Sequence, residues 1–172
     1  MIGIGVDVGS DSVKVVALKD NVLKFTVAKT GVNIEDKVRA MIAEHLRIMK
    51  NEEVTIVSTG QGRHSIGFAD RTVTEISACV MGARWFLPST RTAIDIGGQG
   101  IRVASLNEEG EIVDFLISDK CSSGTGCFLE LMADALGTSI EKISSTPPSA
   151  KPMCLNATCT VFAETEAVSL IA

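Results

Sequence analysis

Apolar and polar stretches divide the first half of the chain into short strands and two helices. Four apolar runs bounded by turn residues predict strands: Ile2 to Val8, Val13 to Leu18, Val22 to Ala28 and Glu53 to Ser58. Two stretches with apolar residues at helical spacing predict helices: Asn33, as N-cap, to about Met49, and Glu75 to Phe86 with Thr74 as its cap. Strands interspersed with helices indicate an α/β fold.

The stretch TGQGR, Thr59 to Arg63, directly follows the fourth predicted strand. Loops at strand ends are a common place for ligands in α/β proteins, so we expect this loop to face one. The neighbouring His64 is expected to be exposed. His45 is expected on the surface of its helix or at the edge of the core.

The same pattern begins again in the second half of the chain. Residues 95–103, DIGGQGIRV, match residues 7–15, DVGSDSVKV, with Asp on Asp, Gly on Gly and a basic residue on a basic residue. A third strand follows in each copy, at Val22 to Ala28 and at Glu111 to Ile117. The match indicates an internal duplication, with one domain at 1–90 and the other at 91–172.

The second copy continues into predicted helices at Thr125 to Leu136, at Ser139 to Ile143 and from about Cys159. Lys142 to Pro152 contains three of the four prolines and predicts a loop. The last helix is still apolar and periodic at Ala172. We therefore expect the second half of the fold to be truncated there.

Composition narrows the classes of function. The 172 residues are 45% hydrophobic, which supplies enough apolar material for a core. A net charge of −5, without a run of Lys and Arg, argues against binding to nucleic acid or to an anionic membrane. The apolar start MIGIGVDVGS has no basic region and is interrupted at Asp7. It predicts a buried strand rather than a signal peptide, and we expect a cytoplasmic protein.

The two duplicated turns predict a phosphate site. Asp7 and Asp95 each end a central strand and precede a turn rich in Gly or Ser, which puts a carboxylate beside several backbone N–H groups. Two such turns facing each other can clamp a polyphosphate, with the aspartates holding a hydrated Mg²⁺.

The hairpins DVGSDSVK and DIGGQG resemble the phosphate-1 and phosphate-2 motifs of the actin, Hsp70 and sugar-kinase ATPase superfamily. The resemblance implies a duplicated RNase H-like, actin-like ATPase fold of the α/β class with mixed β-sheets, which binds ATP or ADP with Mg²⁺. It implies nucleotide contacts at Asp7, Gly9, Ser10, Lys14, Asp95, Gly97, Gly98, Gln99, Gly124, Thr125 and Gly126. Asp7 and Asp95 would hold Mg²⁺ through water. Separately, Glu75 at the start of its predicted helix is a candidate catalytic or water-positioning group, or else has a purely structural role in the cap region.

Five cysteines stand in a chain without a secretory signal: Cys79, Cys121, Cys127, Cys154 and Cys159. An odd number argues against a disulfide scaffold and leaves buried thiols, metal ligands or redox residues. Cys121 and Cys159 each precede a predicted helix, whose N-terminal dipole would stabilise a thiolate or a cluster sulfide. Both could instead be small packed side chains. Two thiolates are half of the four that a [4Fe–4S] cluster needs, and a twofold dimer would supply the rest.

The stretches AIDIGGQ, DKCSSGTGCFLE and ATCTVFAETE together resemble the activator ATPases of 2-hydroxyacyl-CoA dehydratases and the related benzoyl-CoA reductase ATPase subunits, the BcrA/BadF type. The resemblance implies that Cys121 and Cys159 bind one [4Fe–4S] cluster across a homodimer interface. It implies that ATP binding and hydrolysis change the angle between two helices that point at the cluster. An electron from a donor such as ferredoxin or flavodoxin would then pass to a partner iron–sulfur dehydratase or reductase.

Two positions depart from this pattern. Gly100 stands where an Asp is common after DIGGQ, and Cys127 where a basic residue is common. Cys127 is either an extra thiol near the cluster or a packed residue. Cys79 and Cys154 are interpreted as structural, although Cys154 is close enough to Cys159 in sequence to be a rival ligand.

Two other functions fit parts of the sequence. A sugar or amino-sugar kinase of the same superfamily would use the hairpins without a cluster. An actin-like scaffold protein would use ATP to control its assembly. The kinase leaves the loops that carry Cys121 and Cys159 unexplained, and the scaffold protein would form polymers with nucleotide rather than a closed dimer.

Overall fold

The computed structural model describes residues 1–47, 53–118, 120–122, 124–145, 147, 149 and 151–172. It divides the chain into two units, Met1–Pro88 and Ser89–Ala172, each with its own sheet. The predicted helix end near Met49 lies outside the described residues, as do two residues of the cysteine loop and three of the proline-rich loop. In the described part of the chain, no helix is long and apolar enough to cross a membrane.

The first unit contains a five-stranded sheet and two α-helices. Its elements in chain order are β1 Ile2–Val8, β2 Ser12–Lys19, β3 Val22–Lys29, α1 Ile34–Leu46, β4 Val54–Thr59, β5 Arg71–Thr72 and α2 Glu75–Phe86. The strand order is β3-β2-β1-β4-β5, with antiparallel pairs among the first three and parallel pairs at β4. The sheet is therefore mixed, as predicted. The two-residue strand β5 and a short 3-10 helix at Arg63–Ser65 come in addition to the predicted elements.

The core of the first unit lies between this sheet and α1. Side chains at alternate positions of β1 and β2 face the helix, and the buried apolar set is Ile2, Ile4, Val6, Val8, Val13, Val15, Ala17, Val38, Met41, Ile42 and Ile66. Each fully buried Val or Ile contributes about 1.5–3 kcal/mol. This packing fixes β1 and β2, and with them the turn that joins the two strands.

His45 lies deeper than expected from the sequence. Its side chain is 6% exposed, and its Nε2 lies 3.1 Å from Thr26 Oγ1. The helical periodicity puts His45 on the apolar stripe, and the Thr26 hydroxyl gives the buried imidazole a polar partner. His64 is exposed, as predicted.

The second unit contains a three-stranded sheet and three helices. Its elements are β6 Thr92–Ile96, β7 Ile101–Leu106, β8 Ile112–Ser118, α3 Gly126–Ala135, α4 Ile140–Ser144 and α5 Thr160–Ile171. The strand order is β6-β7-β8 and both pairs are antiparallel. Helix α3 packs against α5 through the buried residues Met132, Ala163 and Ala167. The thiol-bearing segments before these two helices therefore belong to one packed unit.

The hairpins that open the two units have the same backbone arrangement. The Gly9 N–H donates to the Ser12 carbonyl over 3.0 Å, and the Gly97 N–H donates to the Gly100 carbonyl over 2.9 Å. In each hairpin the aspartate pairs across the strands with the basic residue. The duplication predicted from the sequence is therefore present in the structure.

Candidate functional site

The first hairpin brings a carboxylate and an ammonium group together at the end of β1. Lys14 Nζ donates to Asp7 Oδ2 over 3.0 Å, and both side chains remain partly exposed. Gly9 fits this turn because a Cβ there would lie 2.8 Å from the Ser12 carbonyl oxygen. Ser10 is exposed at the turn. Such a partly exposed ion pair contributes only about 0–1 kcal/mol to stability. Because both side chains are still accessible to solvent, their charges are also accessible to a ligand.

The second hairpin presents the same kinds of groups at the end of β6. Arg102 Nη1 donates to Asp95 Oδ2 over 3.1 Å. This pair is less exposed than the first, at 15% for Arg102 and 33% for Asp95. Gly98 and Gln99 are exposed at the turn. The second hairpin therefore buries its basic residue more than the first and leaves the turn open to solvent.

The loop after β4, which the sequence predicts to face a ligand, packs against the end of β1. The Gly62 N–H donates to the Val8 carbonyl over 2.9 Å, and Arg63 Nη1 donates to the Gly60 carbonyl over 3.1 Å. Gly60 has a φ of +90°, and a Cβ there would overlap the Val8 carbonyl and lie 2.5 Å from Asp7 Oδ1. The loop thus lies directly beside Asp7 and packs against the end of β1.

Glu75 lies in the first turn of α2 and is partly exposed. The preceding residue caps the helix as predicted, since Thr74 Oγ1 accepts from the Ser77 N–H over 3.3 Å. The helix dipole stabilises a negative charge at this position, which is sufficient reason for a Glu there. Its catalytic role stays a prediction.

The loop before α3 exposes the thiol of Cys121, and a buried threonine, Thr125, is hydrogen-bonded to its backbone. Cys121 is exposed, whereas Thr125 is 0% exposed. Thr125 Oγ1 donates to the Cys121 carbonyl over 2.5 Å and accepts from the Phe128 N–H over 3.4 Å. The same hydroxyl therefore caps α3 and holds the backbone of Cys121.

The start of α3 is hydrogen-bonded directly to the second hairpin. The Gly126 N–H donates to the Gly97 carbonyl over 3.1 Å, and the Cys127 N–H donates to the Gly98 carbonyl over 2.9 Å. Because the Gly126 N–H already has this partner, its predicted contact with a phosphate would require the bond to be exchanged. The sequence gives no signal for these bonds, which join segments nearly thirty positions apart.

Cys159 is the N-cap of α5, and its side chain makes no capping hydrogen bond. Asn156 instead closes a turn directly before the helix, since its Oδ1 accepts from the N–H groups of Thr158 and Cys159, each over 2.9 Å. The Asn156 N–H in turn donates to Glu166 Oε2 over 2.7 Å. The sulfur of Cys159 is therefore not needed for the helix. Sequence reasoning missed Asn156, although Asn before a helix start is a known turn former.

The residues around the two cysteines fit a bound group. A buried hydroxyl without a hydrogen-bond partner in the described part of the chain lies next to each: Ser122 beside Cys121 and Thr160 beside Cys159. Such orphaned groups are uncommon and indicate a missing partner. Among the described residues, no three His, Cys, Asp or Glu side chains come together to hold a metal. One subunit thus offers two thiols rather than a complete set of four cluster ligands.

The other three cysteines differ in their surroundings. Cys79 lies in α2 and Cys127 in the first turn of α3, and both are partly buried. Cys154 is exposed in the segment before α5. None of the five cysteines, all in the described part of the chain, forms a disulfide. The structure does not bring Cys154 to a helix start, where Cys159 lies.

Comparisons with known proteins find similarity to one family over nearly the whole chain. The sequence profile of the BadF/BadG/BcrA/BcrD ATPase family matches residues 4–172. The chain is 42% identical to the uncharacterized protein YjiL of Escherichia coli, over 97% of this chain and 66% of YjiL. It is 37% identical to the (R)-2-hydroxyglutaryl-CoA dehydratase activating ATPase of Acidaminococcus fermentans, over 96% of this chain and 66% of that protein. The chain thus spans about two thirds of the length of these relatives.

Two solved structures share the fold. The crystal structure of component A of the Acidaminococcus fermentans (R)-2-hydroxyglutaryl-CoA dehydratase superposes with a TM-score of 0.81 at 35% identity, covering 99% of this chain and 68% of that one. The activator of the 2-hydroxyisocaproyl-CoA dehydratase from Clostridium difficile, with bound ADPNP, gives a TM-score of 0.77 at 31% identity, covering 99% of this chain and 66% of that one. The predicted actin-like α/β fold is therefore confirmed, and the chain belongs to the BadF/BadG/BcrA/BcrD ATPase family.

Proposed function

We propose that the full-length protein is an ATP-dependent activator that passes a low-potential electron to an iron–sulfur enzyme acting on a CoA ester. One observation carries the proposal: the backbone of Gly126, at the start of α3, is hydrogen-bonded to Gly97 in the second hairpin. A predicted phosphate-binding turn and a predicted cluster-binding loop are thereby in direct contact. Neither phosphate transfer by a kinase nor assembly of a filament requires an exposed thiol in a loop that is bonded to a phosphate-binding turn.

In this proposal each unit serves as one ATPase subdomain, and the hairpin of each supplies groups that bind the nucleotide. Asp7 and Asp95 hold a hydrated Mg²⁺, and Lys14 contacts a phosphate. The remaining phosphate contacts come from Gly9, Ser10, Gly97, Gly98, Gln99 and Gly124, because Gly126 and the buried Thr125 are already hydrogen-bonded within the unit. Exposed turn residues in both hairpins and the carboxylate-base pairs at 3.0 and 3.1 Å support this assignment.

Cys121 and Cys159 are the proposed ligands of a [4Fe–4S] cluster that two subunits share. Each subunit supplies two thiolates, and a homodimer completes the set of four. When bound, the cluster would accept one electron from a reduced ferredoxin or flavodoxin and release it to the partner enzyme. The exposed Cys121, the uncommitted sulfur of Cys159 and the orphaned hydroxyls beside them support the assignment.

In this proposal, the structural change caused by nucleotide binding is transmitted to the thiol-bearing loop by the start of α3. A γ-phosphate held by the second hairpin would shift Gly97 and Gly98, and the bonded start of α3 would follow with the backbone of Cys121. ATP can bias this arrangement only if it binds one of two states more tightly than the other. Glu75 at the start of α2 is the proposed group that orients the attacking water.

The proposed electron acceptor is a dehydratase or reductase of CoA esters. Relatives are named as activators of lactoyl-CoA dehydratase in Anaerotignum propionicum and of 2-hydroxyisocaproyl-CoA dehydratase in Clostridioides difficile. A more distant relative is one of the subunits of benzoyl-CoA reductase from Thauera aromatica. We propose a cytoplasmic protein that works with an enzyme of this group.

Anaerobic purification of the full-length protein tests the proposal. We expect a brown protein with about two iron atoms per subunit and an EPR signal after reduction. Cys121→Ser and Cys159→Ser should each lose the iron, while Cys127→Ser and Cys154→Ser keep it. A colourless, iron-free wild-type protein under strictly anoxic conditions would overturn the electron-transfer function, and iron loss in Cys154→Ser but not Cys159→Ser would overturn the choice of ligands.

A further inference from the structure

Thr59 lies beside Asp7 at the edge of the first sheet. It is the last residue of β4 and is paired in parallel register with Asp7 of β1. Neighbouring strands run about 4.8 Å apart, and paired residues point to the same face of the sheet. The Thr59 side chain is thus next to the carboxylate that is proposed to hold the hydrated cation.

The backbone after Thr59 is fixed in this position. Gly62 is bonded to the Val8 carbonyl over 2.9 Å, and Gly60 approaches Asp7 so closely that any side chain there would collide with β1. Ser58, the preceding residue, is also satisfied, because its hydroxyl donates to the Arg63 carbonyl over 3.0 Å. Thr59 therefore has little freedom to move away from Asp7.

The hydroxyl of Thr59 has no hydrogen-bond partner among the described residues and is shielded from solvent. Most buried hydroxyls are satisfied, so one that is not points to a partner that is missing or to a functional role. The residue as a whole is partly exposed. Rotation about its Cα–Cβ bond to another staggered rotamer would bring the hydroxyl to the position that the methyl group now occupies.

We propose that the Thr59 hydroxyl is a ligand group for the metal–nucleotide held at Asp7, and that it rotates to meet an oxygen of that ligand. The proposal rests on the proposed ATP binding and adds a residue that the hairpin motifs do not contain. The oxygen belongs either to a nucleotide phosphate or to a water of the hydrated cation. A phosphate oxygen would accept a hydrogen bond from the hydroxyl, whereas a water of the hydrated cation would donate one to it.

Two substitutions in the full-length protein separate this role from packing. Thr59→Val has nearly the same shape without the hydroxyl, and Thr59→Ser keeps the hydroxyl. Thr55→Val is the matched control, because Thr55 lies on the same strand and the same face, four residues away from the site. Calorimetric titration with ADP and with a non-hydrolysable ATP analogue gives the affinities. Thermal unfolding without nucleotide reports on stability.

We expect Thr59→Val to bind at least one of the two nucleotides with Mg²⁺ about tenfold more weakly, the loss typical of a hydrogen bond to a charged ligand. Its melting temperature without nucleotide should equal or exceed that of the wild type, because a partnerless buried hydroxyl is removed. Thr59→Ser and Thr55→Val should bind as the wild type does. A loss that persists in EDTA assigns the partner to a phosphate, and one that disappears assigns it to a cation-bound water.

Wild-type affinity in Thr59→Val would overturn the proposal while leaving the proposed function intact. A loss shared by Thr59→Ser, or one that appears only with a lowered melting temperature, would likewise assign Thr59 to packing. A wild-type protein that binds neither nucleotide would overturn both this proposal and the proposed ATPase function.

Discussion

The backbone N–H of Gly126 donates to the carbonyl oxygen of Gly97 over 3.1 Å, and the next amide, that of Cys127, donates to Gly98 over 2.9 Å. The first N–H groups of a helix have no partner within the helix, so they need one elsewhere. For Gly126 and Cys127 of α3 that partner is the second hairpin. Any displacement of the hairpin must therefore either move the start of α3 or break these bonds.

Gly126→Pro should cut the first of these bonds while leaving α3 intact. Gly126 is the first helical residue, where proline is well tolerated, and Thr125 before it is extended, with φ −77° and ψ 159°. The proline ring replaces the hydrogen, so the Gly97 carbonyl must move away. We expect normal iron content, but the rate at which a chelator removes the iron should no longer depend on whether ADP or an ATP analogue is bound.

The matched control is Gly126→Ala, which keeps the N–H. Its Cβ would lie 3.4 Å from the Cα of Gly98, an ordinary contact. This variant should retain the nucleotide dependence of the wild type. Retention of that dependence in Gly126→Pro would contradict the proposed route from hairpin to thiol.

The carboxylate of Asp7 is tested by Asp7→Asn. Asparagine keeps the shape but loses the charge that attracts a hydrated cation and the Lys14 ammonium, 3.0 Å away. We expect Mg²⁺-nucleotide affinity to fall about tenfold or more, by the usual range for a hydrogen bond to a charged group. Stability should change by about 1 kcal/mol or less, because the ion pair is partly exposed.

Asp11→Asn is the control for the change in charge. Asp11 is in the same hairpin and lies 4.0 Å from Lys29 in an exposed pair. Titration calorimetry should give it the affinity of the wild type. Equal losses in both variants would mean that the hairpin responds to net charge rather than to a cation bound at Asp7.

Much of the fold could be predicted from the sequence because its signals are local. The alternation of Ile2, Ile4, Val6 and Val8 identifies β1, and Thr74, Thr125 and Ser139 stand at the helix starts that they cap. The duplication was visible because the hairpins keep an Asp, a Gly and a base at equal spacing. The strand β5 was missed, since two residues are too few to show any period.

The candidate site was only partly predictable, because its remaining bonds join distant segments. Asp7 and Lys14 were identified by a motif within eight residues. The contact of Gly126 with Gly97 and the position of Thr59 beside Asp7 depend on how strands and loops pack. Asn156 had a local signal in the sequence. Its bond to Glu166 had none, because Glu166 lies within α5, ten residues further along the chain.

Gly60 should tolerate no side chain. Its φ of +90° disfavours any L-residue, and a Cβ would overlap the Val8 carbonyl. We expect Gly60→Ala to lower the free energy of unfolding by more than about 2 kcal/mol in urea denaturation. Gly5→Ala is the control, since no atom lies within 4 Å of a Cβ at that position of β1. It should be neutral or stabilising by up to about 1 kcal/mol.

Thr125 joins the stability of α3 to the position of Cys121. Its buried hydroxyl donates to the Cys121 carbonyl over 2.5 Å and accepts from the Phe128 N–H over 3.4 Å. Thr125→Val keeps the shape but loses both bonds, and a lost N-cap alone costs about 1 kcal/mol. We expect the free energy of unfolding to fall by about 1–3 kcal/mol. Thr125→Ser keeps both bonds and should lose only about 0.8 kcal/mol, for the buried methyl group.

The same pair of variants tests whether the Thr125 hydroxyl holds the loop that carries Cys121 in place. In cluster-free protein, Cys121 should react with an alkylating reagent faster in Thr125→Val than in Thr125→Ser, as followed by peptide mass spectrometry. Cys154, exposed in a different segment, provides the internal reference for reagent and temperature. Equal acceleration at Cys154 would attribute the effect to general unfolding, whereas acceleration at Cys121 alone requires that the Thr125 hydroxyl restrains that loop.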